Sequence, residues 1–176
     1  MRPTINFFIE ESKTHSNKNV FGLCDDDNSQ PAYIDEDIAN KNGKWIAQVN
    51  NDSLKEIDFY PVDHCVEIKR ADGKDAKKCE GILYWDDNNI VFTELKDRQL
   101  KPAVWLSDAE DQIIKTMIYF FDNYDIQAYH TKAWICNKQL TNQNYFQQIL
   151  AFKEKTKDLF EMNRGFTLFV SSFLSI

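Results

Sequence analysis

From Cys79 to Arg98 the chain runs Cys-Glu-Gly-Ile-Leu-Tyr-Trp-Asp-Asp-Asn-Asn-Ile-Val-Phe-Thr-Glu-Leu-Lys-Asp-Arg, two apolar runs joined by a short connection of Asp and Asn. Those two residue types tolerate tight turns and left-handed backbone, so the stretch predicts a β-hairpin with arms Cys79 to Trp85 and Ile90 to Lys96. Glu94 and Lys96 stand two apart on the second arm, and their side chains therefore leave the same face of a sheet. Glu80, at the start of the first arm, joins them in one parity of register only, because a slip of one residue turns every side chain over. A four-residue loop pairs Trp85 with Ile90 and sets Glu80 opposite Leu95. A three-residue loop, Asp87-Asn88-Asn89, pairs Asp86 with Ile90, Ile82 with Glu94 and Glu80 with Lys96, and the three charges converge. We expect the odd-length loop, with Asn89 in the left-handed conformation.

An acidic residue, a short hairpin and then Glu-x-Lys is the pattern of the PD-(D/E)xK nuclease superfamily, and from about Glu56 onward the chain resembles it. Acid-x-Lys also occurs at Glu11-Ser-Lys13, Glu67-Ile-Lys69, Asp72-Gly-Lys74 and Asp75-Ala-Lys77, but Glu94-Leu95-Lys96 alone has an apolar strand before it and a capped helix after it. The family's first acid is usually Asp; here it is Glu80, one methylene longer. The resemblance implies a restriction-endonuclease-like fold, a central mixed β-sheet flanked by helices. It further implies Mg²⁺ or Mn²⁺ held by Glu80, Glu94 and the Leu95 carbonyl, with Lys96 orienting water or stabilising developing charge during phosphodiester hydrolysis of nucleic acid. Families of this fold also place a polar residue early in the next helix, where Gln112 stands, and often add an N-terminal acid, for which Glu10, Glu11 and Glu36 are candidates.

With 176 residues, 43% of them hydrophobic, the chain supports one substantial core. We expect a single α/β domain over 1–176, with a β-rich N-terminal part over 1–55 and the nuclease-like core over 56–176. A formal charge of −7 argues against binding nucleic acid over the whole surface. A local contact to the substrate backbone is still available from Lys69, Arg70, Lys74, Lys77 and Lys78, just before Glu80; the alternative is a solvated loop. Cys24, Cys65, Cys79 and Cys136 form no CxxC pair, and Cys65, Cys79 and Cys136 lie in apolar runs, as buried free thiols of a reducing compartment do. His15, His64 and His130 lack zinc spacing. No run is long enough for a signal peptide or a membrane span, so a cytoplasmic protein is expected.

Ile5 to Ile9 is strand or helix start, undecided by its residues. Val20 to Cys24 reads as extended and Asp25-Asp26-Asp27-Asn28 as a solvated turn. Lys44 to Val49 alternates as a strand. Glu56 to Lys69 alternates imperfectly, and Pro61 puts that strand on an edge or makes it bend or bulge there. Asp63 then sits where the strand turns, a second candidate acid or a turn-stabilising one. Asp97 to Leu106 reads as connection, and Ser107-Asp108-Ala109-Glu110 as a capping box opening a helix whose apolar face includes Ile113, Met117 and Phe120. Ile126 to Asn137 reads as a strand, Lys138 to Gln143 as loop, Asn144 to about Phe160 as a helix with Phe146, Ile149, Leu150 and Phe152 inward, and Phe166 to Phe173 as a last strand.

Glu94 and Lys96 at the carboxyl end of a doubly buried strand need each other or a metal, and a direct ion pair is expected without metal. The alternative function is an inactive protein of this fold that binds another protein, as an inhibitor or assembly subunit does. A β-rich recognition domain in the first 69 residues is a third reading. A homodimer is compatible with all three, and nothing in the residues selects it.

Overall fold

Period-two alternation rules the centre of the chain. In β6 (Gly81–Trp85) and β7 (Asn89–Lys96), Ile82, Ile90 and Phe92 join one apolar cluster, while Leu83, Trp85, Val91 and Leu95 join another on the opposite face. A strand buried on both faces needs a layer on each side. The structure, a computed structural model that describes residues 4–26, 29–98, 101–139 and 144–176, supplies both layers.

β1 (Thr14–Ser16), β5 (Ile57–Pro61), β8 (His130–Asn137) and β9 (Thr167–Val170) complete a six-stranded mixed sheet in the order β1-β5-β6-β7-β8-β9. The first four are antiparallel neighbours, and β8 and β9 run parallel to β7. α1 (Pro102–Phe121) connects β7 to β8, and α2 (Phe146–Leu159) connects β8 to β9. Both helices bury their apolar sides in the cluster of Ile82, Phe92 and Ile135, through Leu106, Ile113, Met117, Phe120 and Phe152. Full burial of one such side chain contributes about 1.5–3 kcal/mol. The other face carries β10 (Phe173–Ser175), β4 (Ala47–Asn50), β2 (Val20–Cys24) and β3 (Tyr33–Asp35), a second mixed sheet in that order. Phe21, Leu23 and Val49 pack there against Phe59, Val91 and Trp134.

Several expectations are corrected. The mixed α/β class and the central mixed sheet hold, but the helices cover one face of that sheet and a small second sheet covers the other. The N-terminal part interleaves with the rest, since β1 joins the large sheet and β10 from the C-terminal part pairs with β4. The first 69 residues therefore complete no sheet of their own. α1 starts at Pro102, whose missing N–H and preset φ suit the first helical position, so Ser107 and Glu110 lie inside the helix and form no capping box. Trp105 and Leu106, expected in a connection, are buried helix residues. Phe146 and Leu150 are exposed and Ile149 is half-buried; α2 presses on the sheet mainly through Phe152 and Thr156. Ile126 to Ala128 is a 3₁₀ turn, and β8 begins at His130. The last strand is two strands, broken at Ser171-Ser172 where the chain crosses between sheets. Pro61 ends β5 beyond the reach of β1, and the chain bends after it. Ile5 to Ile9 adopts neither helix nor strand. Cys24, Cys79 and Cys136 are buried and Cys65 is half-buried, all four as free thiols. Residues 27–28 of the acidic turn, 99–100 of the connection and 140–143 of the loop lie outside the described residues.

Gly165 lets the chain approach α2 closely. A Cβ built there would fall 1.6 Å from the Lys153 carbonyl oxygen. Backbone cannot step aside as a side chain can, so Gly165→Ala is expected to destabilise by about 2 kcal/mol or more in urea unfolding. An unchanged midpoint would mean that α2 shifts freely on β9.

Candidate functional site

The hairpin loop is odd in length, but it is Asp86-Asp87-Asn88, closed by Trp85 opposite Asn89. Asp86 and Asp87, with φ of 50° and 62°, take the left-handed backbone expected of Asn89. The register is shifted by two from the expected one, which keeps its parity. Gly81 pairs with Thr93, so continuing the ladder by one residue sets Glu80 opposite Glu94 rather than Lys96. Glu80 is anchored there by its carbonyl, which accepts from the Val62 N–H at 2.8 Å and the Asp63 N–H at 3.4 Å. Glu80, Glu94 and Lys96 thus share the face that looks toward α1.

Glu94 is fully buried and Lys96 is 6% exposed. The expected ion pair is present, with Nζ 2.6 Å from Oε1. The carboxylate is held by this pairing and by the Glu80 backbone N–H, both of which oppose its protonation. Lys96 also donates to Gln112 Oε1 at 2.7 Å, and Gln112 Nε2 donates to the Lys78 carbonyl at 2.9 Å. Gln112 therefore ties the Glu-x-Lys strand to the segment that leads into Glu80. Burial, opposed by Lys96, raises the Glu94 carboxyl to about 7. Burial first, then the charges of Glu94, Asp25 and Asp63, push Glu80 up to about 9.

These groups border a pocket of about 230 Å³ lined by Asp25, Asp63, His64, Lys77, Glu80, Lys96, Arg98, Asp108 and Gln112. Asp63 is 3.3 Å from His64 Nε2 and 3.7 Å from Lys78 Nζ. His64 sits at φ 63°, a strained backbone for a non-glycine residue. Asp108 faces Lys77 at 3.0 Å, Lys96 at 3.6 Å and Arg98 at 3.8 Å. The Lys77 hydrogen bond, then the other cations, hold its carboxyl below the usual range despite partial burial.

Of the expected residues, Glu80, Lys96, Asp63, Gln112 and Lys77 line the pocket, with Glu94 directly behind it. Lys78 reaches its edge through Asp63. Lys69 and Arg70 are turned to Asp75 at 2.5 Å and Asp72 at 2.7 Å, and Lys74 is exposed. Glu10 is bound to Tyr60 and Lys13, away from the pocket; Glu11 and Glu36 do not line it. Asp25, Asp108 and Arg98 were not foreseen. Asp25 is a half-buried wall rather than a solvated turn, and burial raises its carboxyl. Asp108 already stands one turn before Gln112 in a helix opened at Ser107, and that i, i+4 spacing was the signal that could have found it.

Among the described residues, no group of three or more His, Cys, Asp or Glu is arranged to hold a metal ion. Two carboxylates and water are nevertheless an ordinary Mg²⁺ set. Glu94, fully buried and close enough to Glu80 for the two charges to oppose each other, offers hard oxygen ligands of the kind such an ion takes. Lys96 bonds toward β8, its carbonyl accepting from Lys138 N–H at 2.8 Å, so the Leu95 backbone turns to the β6 side, past the last pair of that ladder. Comparisons with protein-family models, curated proteins and solved structures give no match. No helix among the described residues is long and apolar enough to cross a membrane.

Proposed function

We propose that the pocket is the active site of a metal-dependent phosphodiesterase acting on nucleic acid, on a core of the restriction-endonuclease-like kind. The observation that carries this reading is Glu94, wholly buried at the carboxyl end of β7, set opposite Glu80 and beside Lys96. Supporting it, the antiparallel β5-β6-β7, the helix α1 and the parallel β8 follow one another as the superfamily resemblance implies. Glu80 and Glu94 would hold Mg²⁺ or Mn²⁺ together with the Leu95 carbonyl. The ion would polarise the phosphoryl oxygen and lower the pKa of a bound water. Lys96, kept in place by Gln112, would orient that water or stabilise charge developing on phosphate.

The paired state of the basic segment favours a second reading, a protein-binding module on the same scaffold: Lys69, Arg70, Lys77 and Lys78 all face carboxylates. Calorimetry separates the two. The hydrolase reading expects Mg²⁺ or Mn²⁺ to bind the wild type and not Glu94→Ala. A wild type that binds neither ion would transfer the assignment to the protein-binding module.

A further inference from the structure

A second cleft, of about 460 Å³, lies on the other side of the β7 and β8 carboxyl ends. Lys138 and Gln139 line it; the Lys138 N–H bonds the Lys96 carbonyl, and Gln139 Nε2 donates to Asp97 Oδ1 at 2.7 Å. Asn137 clamps Arg98 between them, accepting from its N–H at 3.2 Å and donating to its carbonyl at 3.0 Å.

The chemistry of the two cavities differs. The first mixes four acids with Lys77, Lys96 and Arg98, whereas the second, among the described residues, carries Lys41 and Lys138 and no acidic residue, within a protein of formal charge −7. The Lys138 ammonium also donates to the Gly43 carbonyl, which fixes its place. Gln48 and Gln139 each donate one amide N–H, to Asn50 and Asp97, and each also carries a carbonyl oxygen able to accept. Phe173, on edge strand β10, is 53% exposed at the rim. An exposed ring, acceptor amides and ammonium groups match the three parts of a nucleotide: base face, base edge and phosphate.

We propose that this cleft is a nucleotide subsite for a single-stranded nucleic acid. One base stacks on Phe173, its amino edge faces Gln48 and Gln139, and a phosphate of the same strand lies between Lys41 and Lys138. The inference rests on the nucleic-acid reading of the first pocket and adds the form of the substrate, because a base within a duplex has no free face to stack.

Fluorescence anisotropy with a labelled ten-nucleotide DNA, single-stranded or annealed to its complement, in EDTA, tests it. The wild type should bind the single strand more tightly than the duplex. Phe173→Ala should weaken single-strand binding about tenfold. Lys41→Glu, on a different segment, should weaken it and flatten its salt dependence. Thermal melts confirm that both variants fold. No binding, equal binding to duplex, or binding unchanged in both variants would overturn the subsite. Phe173-dependent binding in a protein that fails to bind Mg²⁺ would uphold the subsite and remove the hydrolase. Mg²⁺ binding without Phe173 dependence would do the reverse.

Discussion

Lys96→Met is expected to destabilise the metal-free protein by about 3 kcal/mol at pH 9 and by less than about 1 kcal/mol at pH 5, because it strands a fully buried carboxylate. At high pH the variant must keep Glu94 charged without its cation, or protonate it from a solution poor in protons. At pH 5 the carboxyl, raised to about 7 even beside Lys96, is already neutral in both proteins. The same reasoning gives the wild type a slope. Glu94 and Glu80, at about 7 and about 9, both lie above their ordinary value, so at these two groups the folded chain binds more protons than the unfolded one. Their contribution favours folding most below pH 4.5 and is lost as the pH rises toward 9. Urea unfolding of both proteins at the two pH values measures this. An equal loss at both would show that Lys96 acts through packing alone.

Trp134→Ala is expected to cost about 4 kcal/mol. The indole is fully buried between the two sheets, among Phe21, Val91 and Leu174, and its Nε1 donates to the Ser171 carbonyl at 3.0 Å and hydroxyl at 3.2 Å. Truncation opens a cavity at the interface and frees the point where β9 gives way to β10. Trp134→Phe should cost less, about 1–2 kcal/mol, through the lost hydrogen bonds and a smaller void. Chemical unfolding reads both, and a loss below about 1 kcal/mol for alanine would show that the sheets collapse onto one another around it.

The hairpin, the crossover helix and the parallel strand after it were legible because each carries its own periodicity and length. The face shared by Glu80, Glu94 and Lys96 was legible too, since it depends on loop parity and not on the particular pair that closes the turn. The layer on the far face was not. Whether β7 is roofed by a helix or by a second sheet leaves the same mark on its sequence, burial at every position. The start of α1 was misplaced because Ser107-x-x-Glu110 satisfies a local capping rule, whereas Pro102 wins through the burial of Trp105 and Leu106. Asp25 was invisible for a different reason: its role comes from where β2 ends in space, and a run of acids reads as a solvated turn whichever wall it forms.

The crossing of the chain at Ser171 sets an order of events during synthesis. Val49 takes Leu174 as its parallel partner, so one edge of the small sheet stays open until the C-terminal part has left the ribosome. The β6–β7 hairpin needs only neighbouring residues and can close long before. While β4 waits, it presents unpaired amides beside apolar side chains, the kind of surface that seeks other chains. A nascent chain halted between β8 and β10 should therefore depend on chaperones more heavily than the finished one, even though most of its core is already made.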